Sequence, residues 1–291
     1  MAMKQVGVIG YPIKHSISPV FQQAAFDALG IEAIYKAYEV PPEDLRSFFF
    51  NLRNGNWLGV NVTIPHKSAA AKLADERSQE VSFTGAANTI ISMNGRLKAH
   101  NTDISGFILA LEENGFQIKS KRAVVLGSGG TTRAVVYALA ICEAQSIAVI
   151  GRSQDKVHSL ISELKPFFEH KQVTVTGHSW EKDSIRRQIQ NSDILINTTP
   201  IGMKGTDQEH LSPVSKEDLS SDLIVFDVVY NPIMTPLLTY AKDVGASTIS
   251  GIEMLIYQGA ESFRLWTGQE PPVDIMRKAA IKAMEEKSRD V

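Results

Sequence analysis

The sequence predicts an α/β protein of two domains. Apolar runs of strand length alternate with helical periodicity along almost the whole chain, the pattern of layered α/β structure. After Gly115 the pattern restarts with a strand, a glycine turn and a helix, the opening of a doubly wound βαβ series. The length, 291 residues, suits two domains of ordinary size.

Residues 6–10 (VGVIG) are short, apolar and β-branched, a buried strand by length. The loop YPIKHSISP follows, where Ser18 can cap a helix with Pro19 at its first position. That helix runs through VFQQAAFDALG to Gly30. AIYKAYEV reads as a strand, PPEDLRSFFFNLRNG as a helix opened by proline, and GVNVTI as a strand that Pro65 ends. HKSAAAKLAD is alanine-rich and helical. ANTIIS and RLKAHN pair as strands about a turn at Met93-Asn94-Gly95. A helix through SGFILALEENG leads into the second series. There AVVL is a strand, GSGG its turn and TTRAVVYALAICEA a helix. SIAVIGR, QVTVTGHS, DILINTT, DLIVFDVVY and ASTISG are further strands, with KVHSLISELKPFF and PLLTYAKDVG as helices among them. The tail from IEMLIYQGAESFRLW to RKAAIKAMEEK is helical. The junction at residues 103–115 is itself helical, which predicts a stiff connection between the halves.

Composition narrows the function. The chain is 43% hydrophobic and 21% charged, ordinary for a globular protein. A net charge of -2 offers no broad basic field to a polyanion, although a local cationic pocket could still take a small acid. The single cysteine, Cys142, excludes an internal disulfide and predicts a reducing, cytoplasmic setting. Its apolar helical surroundings predict a buried, inert thiol. The N-terminus reads directly into a strand, without a signal peptide's apolar core, and no run approaches the ~18 apolar residues of a membrane span. A small-molecule partner is therefore expected, with neither nucleic acid nor membrane. Monomer and homodimer both remain compatible.

Gly127-Ser128-Gly129-Gly130 sits between a strand and a helix, where backbone N–H groups and a helix N-terminus can face a pyrophosphate. The usual third glycine is absent, because position 132 is threonine. The alternative is a tight strand-to-helix turn. The next strand ends Ile150-Gly151-Arg152-Ser153, with no carboxylate before Asp155. NAD sites place an Asp or Glu there, whereas an arginine accommodates a 2′-phosphate. Arg152 can grip that phosphate bidentately, with Ser153 and Lys156 adding a hydroxyl and a charge. This favours NADP on a Rossmann-type domain. The alternative makes Arg152 a solvated surface charge.

The first half carries polar clusters at strand ends and in loops. Ser16 and Ser18 can both donate to one carboxylate, and Ser18 can also cap its helix. Asn61 and Thr63 share one side of a strand, with Lys67 just past its end. A lysine beside a carboxylate and a cofactor can move a proton when desolvation lowers its pKa. Asn88-Thr89 and His100-Asn101-Thr102-Asp103 lie at further strand ends, and Asp103 could instead cap the following helix. His15, His66 and His100 match no metal-ligand spacing, so no metal is expected.

Together GYPIKHSISP, NVTIPHK, GAANT, HNTD, GSGGTTRA, GRS, NTTPIGM, DVVYNPIMTPLL and GIEMLIYQGAESFRLWTG closely resemble the shikimate dehydrogenase family, in order and over nearly the whole chain. The resemblance implies reversible NADPH-dependent reduction of 3-dehydroshikimate to shikimate. It makes Lys67 and Asp103 the catalytic pair. Lys67 would give a proton to the ketone oxygen, and Asp103 would bind substrate hydroxyls and hold the ammonium. Ser16, Ser18 and Tyr230 would bind the substrate carboxylate, and Thr63, Asn88 and Gln258 the ring hydroxyls. Gly127, Ser128, Gly129, Gly130 and Thr131 would meet the pyrophosphate. Gly151, Arg152, Ser153 and Lys156 would surround the adenosine phosphate, with Val228 and Gly251 lining the nicotinamide pocket. The implied fold is discontinuous: an α/β substrate domain of residues 1–103 completed by 252–291, and a Rossmann-type domain of 104–251, with a cleft between them.

Three positions depart from the family pattern. Gly151 stands where asparagine is frequent, Thr131-Thr132 replaces commoner small residues, and Gln79 replaces an acidic residue found in a bacterial relative. A quinate/shikimate dehydrogenase using NAD is the neighbouring alternative. Relatives that accept quinate tend to change one of the two serines, and both stand here. A catalytically silent NADP- or shikimate-binding regulator is a different class of alternative, opposed by the presence of Lys67 and Asp103.

Overall fold

The computed structural model describes residues 3–289. Met1, Ala2, Asp290 and Val291, the outer ends of segments 1–103 and 252–291, lie outside the described residues. The chain divides into two compact units, one built from residues up to Gly106 and from Ile256 on, the other from Phe107–Leu255.

The first unit opens with β1 (Lys4–Gly10), α1 (Ser18–Ala28), β2 (Ala33–Glu39), α2 (Leu45–Asn54) and β3 (Trp57–Val62). It continues with α3 (Lys67–Leu73), β4 (Glu76–Arg77), α4 (Gln79–Thr84), β5 (Thr89–Met93), β6 (Arg96–His100) and the start of α5 (Asp103–Glu113). The strands form a mixed sheet in the order β2-β1-β3-β5-β6-β4. β1 runs parallel to β2 and β3, and β5 antiparallel to β3 and β6. β1 is buried along five consecutive residues, which explains its unbroken apolar run. Asn94 and Gly95 take positive φ between β5 and β6, the turn that Asn-Gly permits at least cost. Ile9, Phe49, Leu52, Val60, Val62 and Ile90 are central to the core of this unit.

The second unit holds β7 (Arg122–Leu126), α6 (Gly130–Ile141), β8 (Ser146–Gly151), α7 (Gln154–Lys171), β9 (Thr174–Ser179) and α8 (Lys182–Ile189). It ends with β10 (Ile194–Asn197), β11 (Ile224–Asp227), α9 (Pro236–Asp243), β12 (Ser247–Ser250) and the start of α10 (Gly251–Thr267). Its sheet is entirely parallel, in the order β12-β11-β10-β7-β8-β9. The strand order reverses between β7 and β10, the switch point where such sheets bind ligands. The remainder of α10 and α11 (Val273–Arg289) return to the first unit, where α11 packs on α1.

Three local expectations change. Ser18 lies inside α1 and makes no capping bond from its side chain; Ile17 is the N-cap, and Ser16 Oγ accepts the Ser18 N–H at 3.2 Å. Residues 76–84 and 182–189 form short elements that the pattern of apolar residues did not mark, because each presents few buried side chains. β11 stops at Asp227, short of the run DLIVFDVVY, as Asp227 Oδ1 takes the Val229 N–H at 3.0 Å.

Asp227 is fully buried and also accepts from Thr235 Oγ1 at 2.6 Å and Asn197 Nδ2 at 2.9 Å. Burial raises its pKa from 3.8 to about 6, against the pull of those three hydrogen bonds. A carboxyl held above its unfolded value keeps its proton in the native state while the unfolded chain has lost it. Stability contributed by Asp227 is therefore present below pH 4 and falls as pH rises towards 6, by roughly 3 kcal/mol. Denaturant titrations of the wild type and Asp227→Asn between pH 4 and 7 should differ by that slope. Parallel curves would refute the assignment.

Candidate active site

The chemistry of the first unit centres on Lys67 and Asp103. Pro65 cannot continue the β3 ladder, and the Thr63 carbonyl accepts the His66 N–H at 2.9 Å, which turns the chain into α3. The buried His66 imidazole donates to the Val40 carbonyl at 2.7 Å and anchors that turn. Lys67 is thereby placed at the first position of α3, half-buried, and its Nζ donates to Asp103 Oδ2. Asp103 starts α5, where the helix dipole favours a carboxylate; the same dipole disfavours a cation at the start of α3. The ion pair offsets that cost for Lys67.

Asp103 does not spend its carboxylate on capping. Oδ1 accepts from Asn88 Nδ2 at 2.7 Å, and the Asp103 N–H goes to Asn101 Oδ1 at 3.2 Å. Asn88 is itself fixed: Oδ1 accepts the Thr102 N–H at 2.7 Å, and Nδ2 also reaches Gln258 Oε1 at 3.2 Å. Lys67, Asp103, Asn88 and Gln258 thus form one connected group with a cation, an anion and two amides. Thr63 lies one residue beyond β3, half-buried, and among the described residues no partner engages its hydroxyl. Ser16 is half-buried and Ser18 buried at the entry to α1. Ser18 stands beside the Tyr35 phenol, which burial holds well above its ordinary pKa against the pull of the Ser18 hydroxyl.

In the second unit the glycine turn has a specific stereochemical need. Gly127 has φ 130°, and a Cβ there would overlap Thr198 Oγ1 and crowd Thr132 Oγ1. The threonine in place of the third glycine fills a role. Gly129 N–H donates to Thr132 Oγ1 at 3.0 Å, Thr132 bonds Thr198 Oγ1 at 2.8 Å, and Thr198 Oγ1 donates to the Leu126 carbonyl at 2.7 Å. This relay ties the turn to the loop after β10, across the switch point. It also engages the Gly129 amide within the turn. The Gly130 N–H, at the first position of α6, has no intrahelical partner and remains for an anion.

Gly151 ends β8 against Val157 and the Gly127 turn, where a Cβ would press on the Val157 side chain. Arg152 is exposed, and among the described residues no acceptor engages its guanidinium. Ser153 caps α7 by accepting the Lys156 N–H at 3.4 Å, leaving its own hydroxyl hydrogen available. Lys156 is exposed one turn on. An arginine without an acceptor among the described residues, a hydroxyl and an ammonium at the end of the second strand suit a 2′-phosphate, and the first carboxylate after β8 is Asp155, within α7. Val228 and Gly251 meet at the ends of β11 and β12, where a Cβ on Gly251 would overlap the Val228 carbonyl. Tyr230 follows Val228 by two residues, and burial raises its phenol pKa, so it stays a donor.

The remaining candidates separate. His66 is engaged with Val40, and His100 Nδ1 pairs with Glu80 at 3.4 Å. Burial raises Glu80, but lowering contributions led by the His100 hydrogen bond more than reverse this and bring it to about 2. Cys142 is half-buried, not fully buried, at the end of α6. Burial, with Glu112 and Glu143 nearby, raises its thiol to about 11, which keeps it protonated. Further residues support the candidate groups within each unit separately. Thr198 and Asn197 hold the loop after β10, and Tyr35 and Ser262 lie behind Asn88. NTTP was visible as a motif, but Tyr35 and Ser262 carry no local signal.

Models of known families match the chain in three consecutive parts. Residues 8–90 match the shikimate dehydrogenase substrate binding domain, residues 109–249 shikimate / quinate 5-dehydrogenase, and residues 251–281 the shikimate 5′-dehydrogenase C-terminal domain. The shikimate dehydrogenase (NADP(+)) of Methanopyrus kandleri is 41% identical over 278 residues, covering 95% of this chain and 94% of the relative. The chain belongs to the shikimate dehydrogenase family. Among solved structures, a shikimate dehydrogenase in complex with NADP+ superposes with a TM-score of 0.89 at 37% identity, covering 97% and 96% of the two chains. The Thermus thermophilus shikimate 5-dehydrogenase in complex with NADP(H) and shikimate gives 0.84 at 33% identity, covering 97% and 100%. Quinate dehydrogenase from Corynebacterium glutamicum in complex with NAD gives 0.87 at 30% identity, covering 96% and 99%. Family membership thus fixes the reaction type more tightly than the choice between shikimate and quinate.

Proposed function

We propose that the chain catalyses the reversible NADPH-dependent reduction of 3-dehydroshikimate to shikimate, an oxidoreductase step of aromatic amino acid and chorismate biosynthesis. The observation that carries this reading is the Lys67–Asp103 pair held by Asn88, in a chain of this family. Segments 1–103 and 252–291 take the substrate, and segment 104–251 takes NADP. When bound, NADPH supplies the hydride.

The work of the chain is to orient the ketone and supply the proton. Lys67 Nζ, protonated, donates to the ketone oxygen as negative charge develops there, and in the reverse direction the neutral amine takes the hydroxyl proton back. Asp103 keeps Nζ in place and accepts from an adjacent substrate hydroxyl. Gln258 and Thr63 bind further ring hydroxyls, together with Asn88. Ser16, Ser18 and Tyr230 donate to the substrate carboxylate. Gly127, Ser128, Gly129, Gly130 and Thr131 receive the pyrophosphate, with Thr132 tying the turn together. Arg152, Ser153 and Lys156 take the 2′-phosphate beside Gly151. Val228 and Gly251 border the nicotinamide. Two retained serines support shikimate over quinate, whose additional hydroxyl sits beside the carboxylate.

Purified protein should reduce NADP with shikimate, and do so faster than it reduces NAD with quinate. Absence of turnover with either pair, under conditions where both ligands bind, would refute the enzymatic reading and leave a silent binding protein. Faster quinate turnover with NAD would transfer the assignment to the neighbouring activity.

A further inference from the structure

Behind the Asn88 side chain lies a buried polar cluster that the reaction itself does not touch. Asn61 on β3 is its hub. Tyr35 Oη donates to Asn61 Oδ1 at 2.8 Å. Asn61 Nδ2 faces Ser262 Oγ at 2.8 Å and Thr89 Oγ1 at 3.1 Å. The three hydroxyls of Thr89, Thr102 and Ser262 stand within hydrogen-bond reach of one another: 2.8 Å for Thr89–Ser262, 3.1 Å for Thr102–Ser262 and 3.2 Å for Thr89–Thr102. Ser262 also reaches the Gln258 carbonyl one helical turn back, at 2.9 Å. Thr89 and Ser262 are completely buried.

Apolar side chains would fill this space without the desolvation cost that so many polar groups bring. The arrangement has a consequence for orientation. Asn61 is oriented by the Asn88 carbonyl, which can only accept and lies 3.3 Å from its Nδ2; the Tyr35 and Ser262 hydroxyls then take the complementary roles. Asn88 is oriented by the Thr102 N–H, which can only donate and reaches its Oδ1 at 2.7 Å; the Thr102 hydroxyl, 3.0 Å from Nδ2 and 3.2 Å from Oδ1, serves either orientation. A flipped Asn88 would set its oxygen against Asp103 Oδ1, acceptor facing acceptor, where Nδ2 now donates at 2.7 Å. Fully satisfied buried networks of this kind select one geometry from several.

We propose that Tyr35, Asn61 and Ser262 are positioning residues that lock the Asn88 amide in the one orientation that aims the Asp103 carboxylate at Lys67. The proposal rests on the reduction assigned above. Ser262 and Gln258 share a face of α10, one helical turn apart. Ser262 acts through the Asn61–Thr89–Asn88 contacts, whereas Tyr35 also stands beside Ser18, so Ser262→Ala is a cleaner test than Tyr35→Phe.

Ser262→Ala and Tyr35→Phe each remove one hydroxyl and leave the packing nearly intact. Each should lower kcat for shikimate oxidation about tenfold, the scale of a small misplacement at the reacting atoms, while the Kd for NADP stays within about twofold. The pH dependence of kcat should also move, because the Lys67–Asp103 contact is loosened; a merely structural role would lower Tm and leave that profile in place. Either variant suffices if the other fails to fold. Wild-type kcat, pH profile and NADP affinity retained in a folded variant would overturn the proposal. A crystal structure of the variant gives a readout that does not depend on the reaction. Rotation of the Asn88 amide or separation of Asp103 from Lys67 supports the proposal, and an unchanged Asn88–Asp103–Lys67 geometry refutes it. A wild-type protein without turnover would overturn the assigned reaction instead, and the crystal structure would still decide the positioning role.

Discussion

Lys67→Ala should lower kcat for shikimate oxidation by about two to four orders of magnitude, the usual contribution of a positioned acid or base. Lys67 Nζ is the one ammonium bonded to Asp103 among the described residues, so no neighbouring cation is placed to substitute for it. The substrate carboxylate and ring hydroxyls would keep their proposed ligands, namely Ser16, Ser18, Tyr230, Thr63, Asn88 and Gln258. Shikimate binding should therefore weaken only modestly, and calorimetric Kd should change far less than kcat. This split separates loss of a proton-transfer group from loss of uniform binding. The truncation also takes the cation from the Asp103 carboxylate and leaves it the Asn88 amide, so thermal stability must be measured alongside. Full turnover in Lys67→Ala would remove the lysine from the mechanism. Equal losses in kcat and in shikimate affinity would recast it as a binding residue.

Arg152→Gln should cost about 100-fold in kcat/KM for NADP and leave NAD almost unaffected, as expected for removing a charge-assisted bidentate partner of a phosphate. The guanidinium is exposed and has no acceptor among the described residues, so its loss leaves no buried carboxylate behind and should hardly alter stability. Arg152→Asp should go further and reverse the preference, since a carboxylate repels the 2′-phosphate and can accept from a ribose hydroxyl. Steady-state kinetics with both cofactors at low and moderate ionic strength measures this. A uniform loss for NADP and NAD would mean that Arg152 shapes the loop rather than reading the phosphate. The departures around it bear on the size of the effect. Gly151 contributes no side chain to the adenosine end, which leaves more of the grip to Arg152, Ser153 and Lys156.

Much of this architecture was legible in the sequence, and for local reasons. The turn at Gly127 needs φ 130°, which glycine supplies at no steric cost, so strand, glycines and helix announce one another. Asn94-Gly95 announces its hairpin in the same way. Continuous apolar runs mark β1 and the central strands of the second sheet because both faces are covered. Elements with few buried residues, such as α4 and α8, left no such mark. Ser-Pro is a frequent helix start, which favours Ser18 as a cap; the backbone instead begins the helix one residue earlier and gives the bond to Ser16. The chain alone could not decide whether Asp103 caps α5 or faces Lys67. A partner 36 residues away decides it.

Residue order alone establishes where strands and helices begin to alternate, which glycine must take a left-handed conformation, and that an arginine rather than a carboxylate ends the second strand of the nucleotide-binding series. Each depends on a residue and its immediate neighbours. Which polar side chains meet emerges only once the chain is folded. Asn61 and Ser262 are 201 positions apart, and Thr132 and Thr198 are 66 apart. Their hydrogen bonds exist because α10 returns to the first sheet and because β7 and β10 are neighbours. A hydrogen bond requires its partners within about 3.2 Å and aligned, and periodicity along a chain carries no information on that scale between distant segments.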